Sequence, residues 1–229
     1  MTTFPKEPLR TRIPLQRAQR WVAERENVEE AAVQVFVKQT AFRDLWKHAN
    51  SDMDHEVGGW LVGHWCWDKQ KMEEFVVVEA VLPAADVQHS STYLTFTQNS
   101  QLMMLAELEE EYPEMQVMGW YHTHPRMGLF LSGYDVWLHD HFFPHPWQVA
   151  LVIDPHSCEG GFFVRDRDHE LNPNRYHGFF EMHKGAEESV VPWKNLRLNA
   201  TAQSSSQNST KSKATQTKQQ DPAKKEVEP

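Results

Sequence analysis

His122, His124 and Asp135 are the residues whose types and spacing suit metal chemistry. They lie in Gly119-Trp120-Tyr121-His122-Thr123-His124-Pro125, followed by Arg126 to Leu131 and then Ser132-Gly133-Tyr134-Asp135. The polar skeleton is His-x-His, seven residues, Ser, two residues, Asp. Two neutral imidazoles and one carboxylate are a common donor set for zinc, with a fourth position left for water. Three ligands match the catalytic pattern; a closed structural site would want another Cys or His. Zinc lowers the pKa of bound water toward about 7, which makes hydroxide available at neutral pH.

The elements around this stretch must bring the three side chains together. Gln116–His124 reads as a strand, ended by Pro125, which lacks an N–H donor. Side chains alternate along a strand, so His122 and His124 share one face, about 6–7 Å apart, and Thr123 points away. Ser132 starts a helix running to about Phe142, and Ser132-x-x-Asp135 has the form of a capping box. Capping and metal ligation by Asp135 are compatible.

The remaining chain reads in order. Val33–Val37 alternates and is β-branched, a strand. Thr40 offers an N-cap for a helix whose Phe42, Leu45, Trp46 and Ala49 fall on one face. Glu56–Trp65 reads as a strand whose glycines suggest a bulge or close backbone approach. Glu74–Leu82 is a strand apolar on both faces, and Thr92–Phe96 is a shorter one. Thr97 caps a helix with Leu102, Leu105, Leu108 and Tyr112 on its inner face. Trp147–Asp154 and Gly161–Val164 are strands, Tyr176–His183 is an edge strand, and Pro192-Trp193 are the last packed residues. A short helix is expected around Gln16–Arg25. Strand, helix, three strands, helix, strand, helix and further strands make an α/β fold, a mixed β-sheet with helices on both faces.

Composition bounds the function. The net charge of −9 is uneven: residues 1–28 carry +3 and residues 201–229 carry +2, leaving −14 between them. An acidic core is a poor nucleic-acid binder, because phosphate contacts need clustered Lys and Arg. It suits a partner with a basic face, or is simply a solvated surface. No run of about 18 apolar residues implies a membrane span, and Met1–Glu30 lacks the apolar core of a secretory signal. Cys66 and Cys158 give no disulfide framework, so a cytoplasmic setting is expected. The expected layout is an N-terminal arm at 1–30, a domain at 31–198 and a disordered polar tail at 199–229.

His122-Thr123-His124-Pro125, the seven-residue gap, Ser132 and Asp135 resemble the JAMM (JAB1/MPN+) zinc metalloprotease motif. That family also places a glutamate upstream, before a strand carrying glycines and a hydrophobic pair. Glu56-Val57-Gly58-Gly59-Trp60-Leu61-Val62-Gly63 looks like that element, and the resemblance covers about residues 33–165. The resemblance implies a cytidine-deaminase-like α/β/α sandwich. It implies zinc held by His122, His124 and Asp135, Glu56 as general base and then acid, and Ser132 as donor to the oxyanion. It also implies a substrate class: amide bonds after the C-terminal glycine of ubiquitin-like modifiers.

The helix from Ser132 runs almost directly into the strand at Trp147, and the Val87–Ser91 connection is short. This is similar to compact prokaryotic members acting on ubiquitin-like or sulfur-carrier proteins. Two alternatives stand beside it: a non-catalytic interaction scaffold of the same fold, and a zinc amidase acting on an unrelated small peptide. His139, one turn after Asp135, either orients a ligand or is an ordinary half-buried or surface histidine. His55 either lines the cleft or does not. His141 and His145 are expected at the surface, and Trp120 and Tyr121 in the core.

Overall fold

A computed structural model describes residues 7–24, 26, 30–85, 87–90, 93–183 and 188–199. The first unit, which ends at Asn199, is compact. The expectation of a disordered tail lies outside the described residues.

The first unit contains, in order, β1 (Leu9–Arg10), a 3-10 turn (Leu15–Arg17), β2 (Ala18–Ala23), β3 (Gln34–Lys38) and α1 (Gln39–Ala49). β4 (Gly58–Asp68), β5 (Glu73–Pro83), β6 (Val87–Ser90), β7 (Tyr93–Phe96) and α2 (Gln98–Glu111) follow. Then come β8 (Gln116–Thr123), α3 (Gly133–Phe142), β9 (Val149–Asp154), β10 (Glu159–Phe163), β11 (Phe179–Met182) and β12 (Leu196–Leu198). The main sheet runs β10-β9-β8-β4-β5-β3-β11-β2-β12, with β1 alongside β4, and it mixes parallel and antiparallel pairs.

Alternation along β9 shows how the sheet is covered. Val149, Leu151 and Ile153 pack in one cluster with Phe42, Leu45 and Ala49 of α1. Ala150 and Val152 pack in the other with Met104 and Leu108 of α2 and Leu138 of α3. Helices therefore cover both faces, as the pattern predicts. Each fully buried Phe or Leu in these layers contributes about 1.5–3 kcal/mol of transfer free energy.

Several sequence expectations need correction. Gln16–Arg25 is not a helix: after the 3-10 turn, Ala18–Ala23 is a strand between β11 and β12. The run favours a helix locally, but pairing on both sides overrides that weak preference. Phe179–Met182 is an internal strand rather than an edge, since β2 and β3 flank it. Trp193 is buried as expected, yet the short strand β12 follows it. Thr40 lies inside α1, whose N-cap is Lys38 without a side-chain bond. Tyr93–Phe96 pairs with β6 in a separate hairpin instead of joining the main sheet. On α2, Ser100, Met104 and Leu108 are buried while Leu102 is 58% exposed, so the inner face is rotated from the expected one. Apolar residues at 102–105 leave no single stripe there, while Leu108 and Tyr112 pack on the core and the Thr97 cap accepts from the Ser100 N–H, as read.

The strand that carries the histidines has one irregularity that aims them. The β4–β8 register shifts between Leu61 and Val62, so Met118 is an extra residue on β8. Gly119 beside it has φ +152°, and a Cβ there would sit 1.8 Å from the Val149 carbonyl oxygen. Only glycine fits this position. Beyond the bulge, Trp120 falls on the α2/α3 side and Tyr121 on the α1 side. Both are fully buried, as expected.

Candidate metal centre

The end of β8 and the start of α3 bring His122, His124 and Asp135 together. One donor atom from each lies within 4.8 Å of the others, and all three residues are buried. The two histidine Nε2 atoms are 2.9 Å apart. Asp135 Oδ1 is 3.6 Å from His122 Nε2, and Oδ2 is 3.9 Å from His124 Nε2. Tetrahedral zinc with bonds of about 2.0–2.1 Å spaces its donors by about 3.3 Å, so this set fits one ion. Among the described residues no other group of His, Cys, Asp and Glu converges in this way.

Each donor is held from behind. Ser132 caps α3 through a reciprocal pair: its Oγ accepts from the Asp135 N–H at 3.2 Å, and its own N–H donates to Asp135 Oδ2 at 2.7 Å. The capping box is therefore present and at the same time aims the Asp135 carboxylate. The His124 ring presents Nδ1 to the Gly128 carbonyl oxygen at 3.2 Å, which places the proton on Nδ1 and turns the Nε2 lone pair inward. The ring of His122 stacks on Trp120, centroids 4.6 Å apart and planes 8° from parallel. Its Nδ1 is buried with no hydrogen-bond partner, so stacking orients this ring.

Protonation favours binding at neutral pH. Burial, and then His122, bring His124 down to about 4, so it is neutral at pH 7. Burial pushes Asp135 upward, but His122 and the bonds from Ser132 outweigh it and hold the carboxyl at about 2. Ligands must be deprotonated to bind metal, and both of these are.

Glu56 sits just before β4, with Oε1 3.9 Å from His124 Nε2 and its side chain 10% exposed. Oε2 is buried without a hydrogen-bond partner. Burial raises its pKa, and His122 partly offsets this. Thr123, which alternation points away from the histidines, fixes the residue after Glu56: Val57 N–H donates to Thr123 Oγ1, and Thr123 N–H donates to the Val57 carbonyl, both at 2.9 Å.

The other candidates separate cleanly. His55 is 61% exposed and bonds Asp52 through Nδ1 at 3.0 Å. His141 is exposed as expected, while His145 is half-buried and stacks on Trp147. His139 is fully buried, against the expectation of a half-buried or surface residue, and its Nδ1 accepts from Trp120 Nε1–H at 3.2 Å. It thus touches the indole that supports His122. Cys66 is buried and its thiol is pushed up to about 12 by burial and Glu79, which makes it inert. Sequence reasoning missed Thr123, Trp120 as a ring support, and Asp154, a buried carboxylate at the end of β9.

Residues 30–143 match the JAB1/Mov34/MPN/PAD-1 ubiquitin protease family. The chain belongs to this family. Curated relatives include the 26S proteasome non-ATPase regulatory subunit 14 of Drosophila melanogaster, 32% identical over 158 residues, 64% of this chain and 46% of that protein. The COP9 signalosome complex subunit 5 of Eremothecium gossypii is 33% identical over 115 residues, 48% of this chain and 25% of that protein. The NAD(+) hydrolase TcpA of a Theionarchaea archaeon is 28% identical over 136 residues, 59% of this chain and 38% of that protein. The chain spans less than half the length of these curated relatives. In this member of the JAB1/Mov34/MPN/PAD-1 family, the matched span includes every residue of the His122, His124, Asp135, Glu56 and Ser132 cluster. Among the described residues no helix is long and apolar enough to cross a membrane.

Proposed function

We propose that this protein is a zinc-dependent peptidase or isopeptidase that hydrolyses the amide after the C-terminal glycine of a ubiquitin-like or sulfur-carrier protein. The observation that carries this reading is the placement of Glu56 Oε1 3.9 Å from one of three convergent, buried ligand donors. His122, His124 and Asp135 would hold the zinc, which when bound would supply a Lewis acid and lower the pKa of a bound water. Glu56 takes the proton of that water and later passes it to the departing amine. Its unpartnered Oε2 is an acceptor held ready for this exchange. The Ser132 hydroxyl accepts from Asp135 N–H, which leaves its own hydrogen to stabilise the oxyanion of the tetrahedral intermediate. Thr123, through Val57, holds Glu56 against the histidines.

The substrate tail enters extended and adds beside the sheet. The six-residue connection from α3 to β9 supports a compact member. We place the reaction in residues 31–198, in a cytidine-deaminase-like sandwich, and the protein in the cytoplasm. The test is cleavage of a ubiquitin-like protein fused through its terminal glycine to a reporter, in zinc-loaded protein, with Glu56→Gln alongside. Cleavage after the glycine, reduced about 10²-fold or more in Glu56→Gln, supports the reading. A zinc-loaded protein that cuts no glycine-ended conjugate overturns the substrate class.

A further inference from the structure

Asp154 ends β9 with its side chain buried, and it accepts from four backbone N–H groups. Oδ1 receives Arg126 at 3.2 Å, His156 at 3.0 Å and Ser157 at 3.3 Å. Oδ2 receives Gly128 at 3.3 Å. These bonds reach two separate loops.

The first loop follows the histidines. It contains two left-handed residues, Arg126 at φ +64° and Gly128 at φ +80°. A non-glycine residue in that region is disfavoured by about 1–2 kcal/mol, so the surroundings must hold it. Asp154 bonds both of these residues. The Gly128 carbonyl oxygen is the acceptor for His124 Nδ1 at 3.2 Å. The path from Asp154 to the inward nitrogen of His124 therefore passes through one glycine.

The second loop, at His156 and Ser157, leads on to a third segment that precedes Glu56 and that Asp154 reaches only through His156. Asp52 Oδ1 accepts from the Asp54 and His55 N–H groups at 2.9 and 3.0 Å and forms a local turn. His156 Nε2 donates to the Met53 carbonyl oxygen inside that turn at 2.7 Å. His156 is itself held by its own N–H on Asp154. Glu56 is thus anchored on one side at Met53 and on the other at Val57.

We propose that Asp154 is a positioning residue for both halves of the centre, acting on the ligand His124 through Gly128 and on the base Glu56 through His156. The inference rests on the reading of His124 as ligand and Glu56 as base. It separates Asp154 from His156: Asp154 governs metal grip and turnover, whereas His156 governs turnover alone. Outer partners of ligating histidines typically contribute 10–100-fold in metal affinity.

The experiment compares wild type, Asp154→Asn and His156→Ala. Zinc affinity is measured by competition with a chromophoric chelator, the visible spectrum after cobalt(II) substitution, and kcat and KM on the glycine-ended fusion. Thermal unfolding of the metal-free proteins reports folding. Asp154→Asn is expected to bind zinc 10–100-fold more weakly, to alter the cobalt band and to lower kcat. His156→Ala is expected to lower kcat about tenfold, with zinc affinity within twofold, an unchanged cobalt band and unchanged KM. A folded Asp154→Asn with wild-type zinc affinity and cobalt band overturns the assignment. Should Asp154→Asn fail to fold cooperatively, His156→Ala decides: an unchanged kcat overturns the assignment, and a lowered kcat at constant zinc affinity supports it. A wild type that takes up no zinc overturns the underlying site reading and this inference with it. A wild type that binds zinc beside an unaffected Asp154→Asn overturns this inference alone.

Discussion

Glu181 and Glu56 are both carboxylates drawn out of water, and the fold treats them in opposite ways. Glu181 on β11 has no exposed surface and accepts from five donors. They are Gln19 Nε2, Trp21 Nε1, Gln39 Nε2, the Ser189 hydroxyl and the Val190 N–H, at 2.7–2.9 Å. Burial pushes its pKa up, but these donors outweigh burial and the net shift is downward. Glu56 has one oxygen without a partner, and its net shift is upward, because burial dominates. A saturated buried carboxylate joins β2, α1 and the 189–190 segment, and serves stability. An unsaturated one beside convergent ligand donors holds an uncompensated acceptor, which is what the proposed proton transfer requires.

That contrast breaks most sharply under substitution. Glu56→Gln keeps the shape and removes the proton acceptor, so turnover of a glycine-ended conjugate should fall about 10²–10⁴-fold. Its urea midpoint should stay at or above that of wild type, since an unfavourable buried charge is removed. Glu181→Ala leaves five donors without their acceptor and should cost about 3 kcal/mol or more in urea unfolding. Any folded fraction should still bind zinc. An Ala variant at 181 with unchanged stability would erase the distinction.

His139 offers a third buried group of the stability kind. Burial, and then Arg165, bring its pKa down to about 3. The unfolded chain protonates it near 6.5 and the folded chain does not, so stability falls as pH drops below about 6.5 and stops falling near 3. Between pH 7 and pH 5 this amounts to about 2 kcal/mol. His139→Asn keeps an acceptor near the Trp120 Nε1–H and removes the titration, so its stability should change less over that interval, by about that amount. An equal acid response in both proteins would contradict the assignment. The smallest effect belongs to the exposed Arg126–Asp54 pair at 3.8 Å. Asp54→Asn should leave both turnover and unfolding midpoint within error, because solvent screens such pairs.

The site was more legible in the sequence than the fold that supports it. His122, His124, Ser132 and Asp135 are close along the chain, so strand alternation and a capping box place them by local rules alone. Glu56 was legible only through its glycine-bearing strand, since its approach to His124 is a tertiary fact. Thr123 was correctly read as pointing away, but nothing local indicates that it meets Val57. Asp154 and Glu181 each look like ordinary carboxylates at strand positions. Their donors come from distant segments, from Gln19 to Val190 for Glu181. The same reason explains β2, whose helix-favouring residues are overridden by β11 and β12.

The central claim is tested most directly by zinc stoichiometry, measured by elemental analysis after metal-free purification, zinc addition and removal of excess. Wild type and Glu56→Gln should each hold one zinc per chain, and Asp135→Asn should hold far less. A wild type without zinc, or an Asp135→Asn that holds it equally well, would contradict the account.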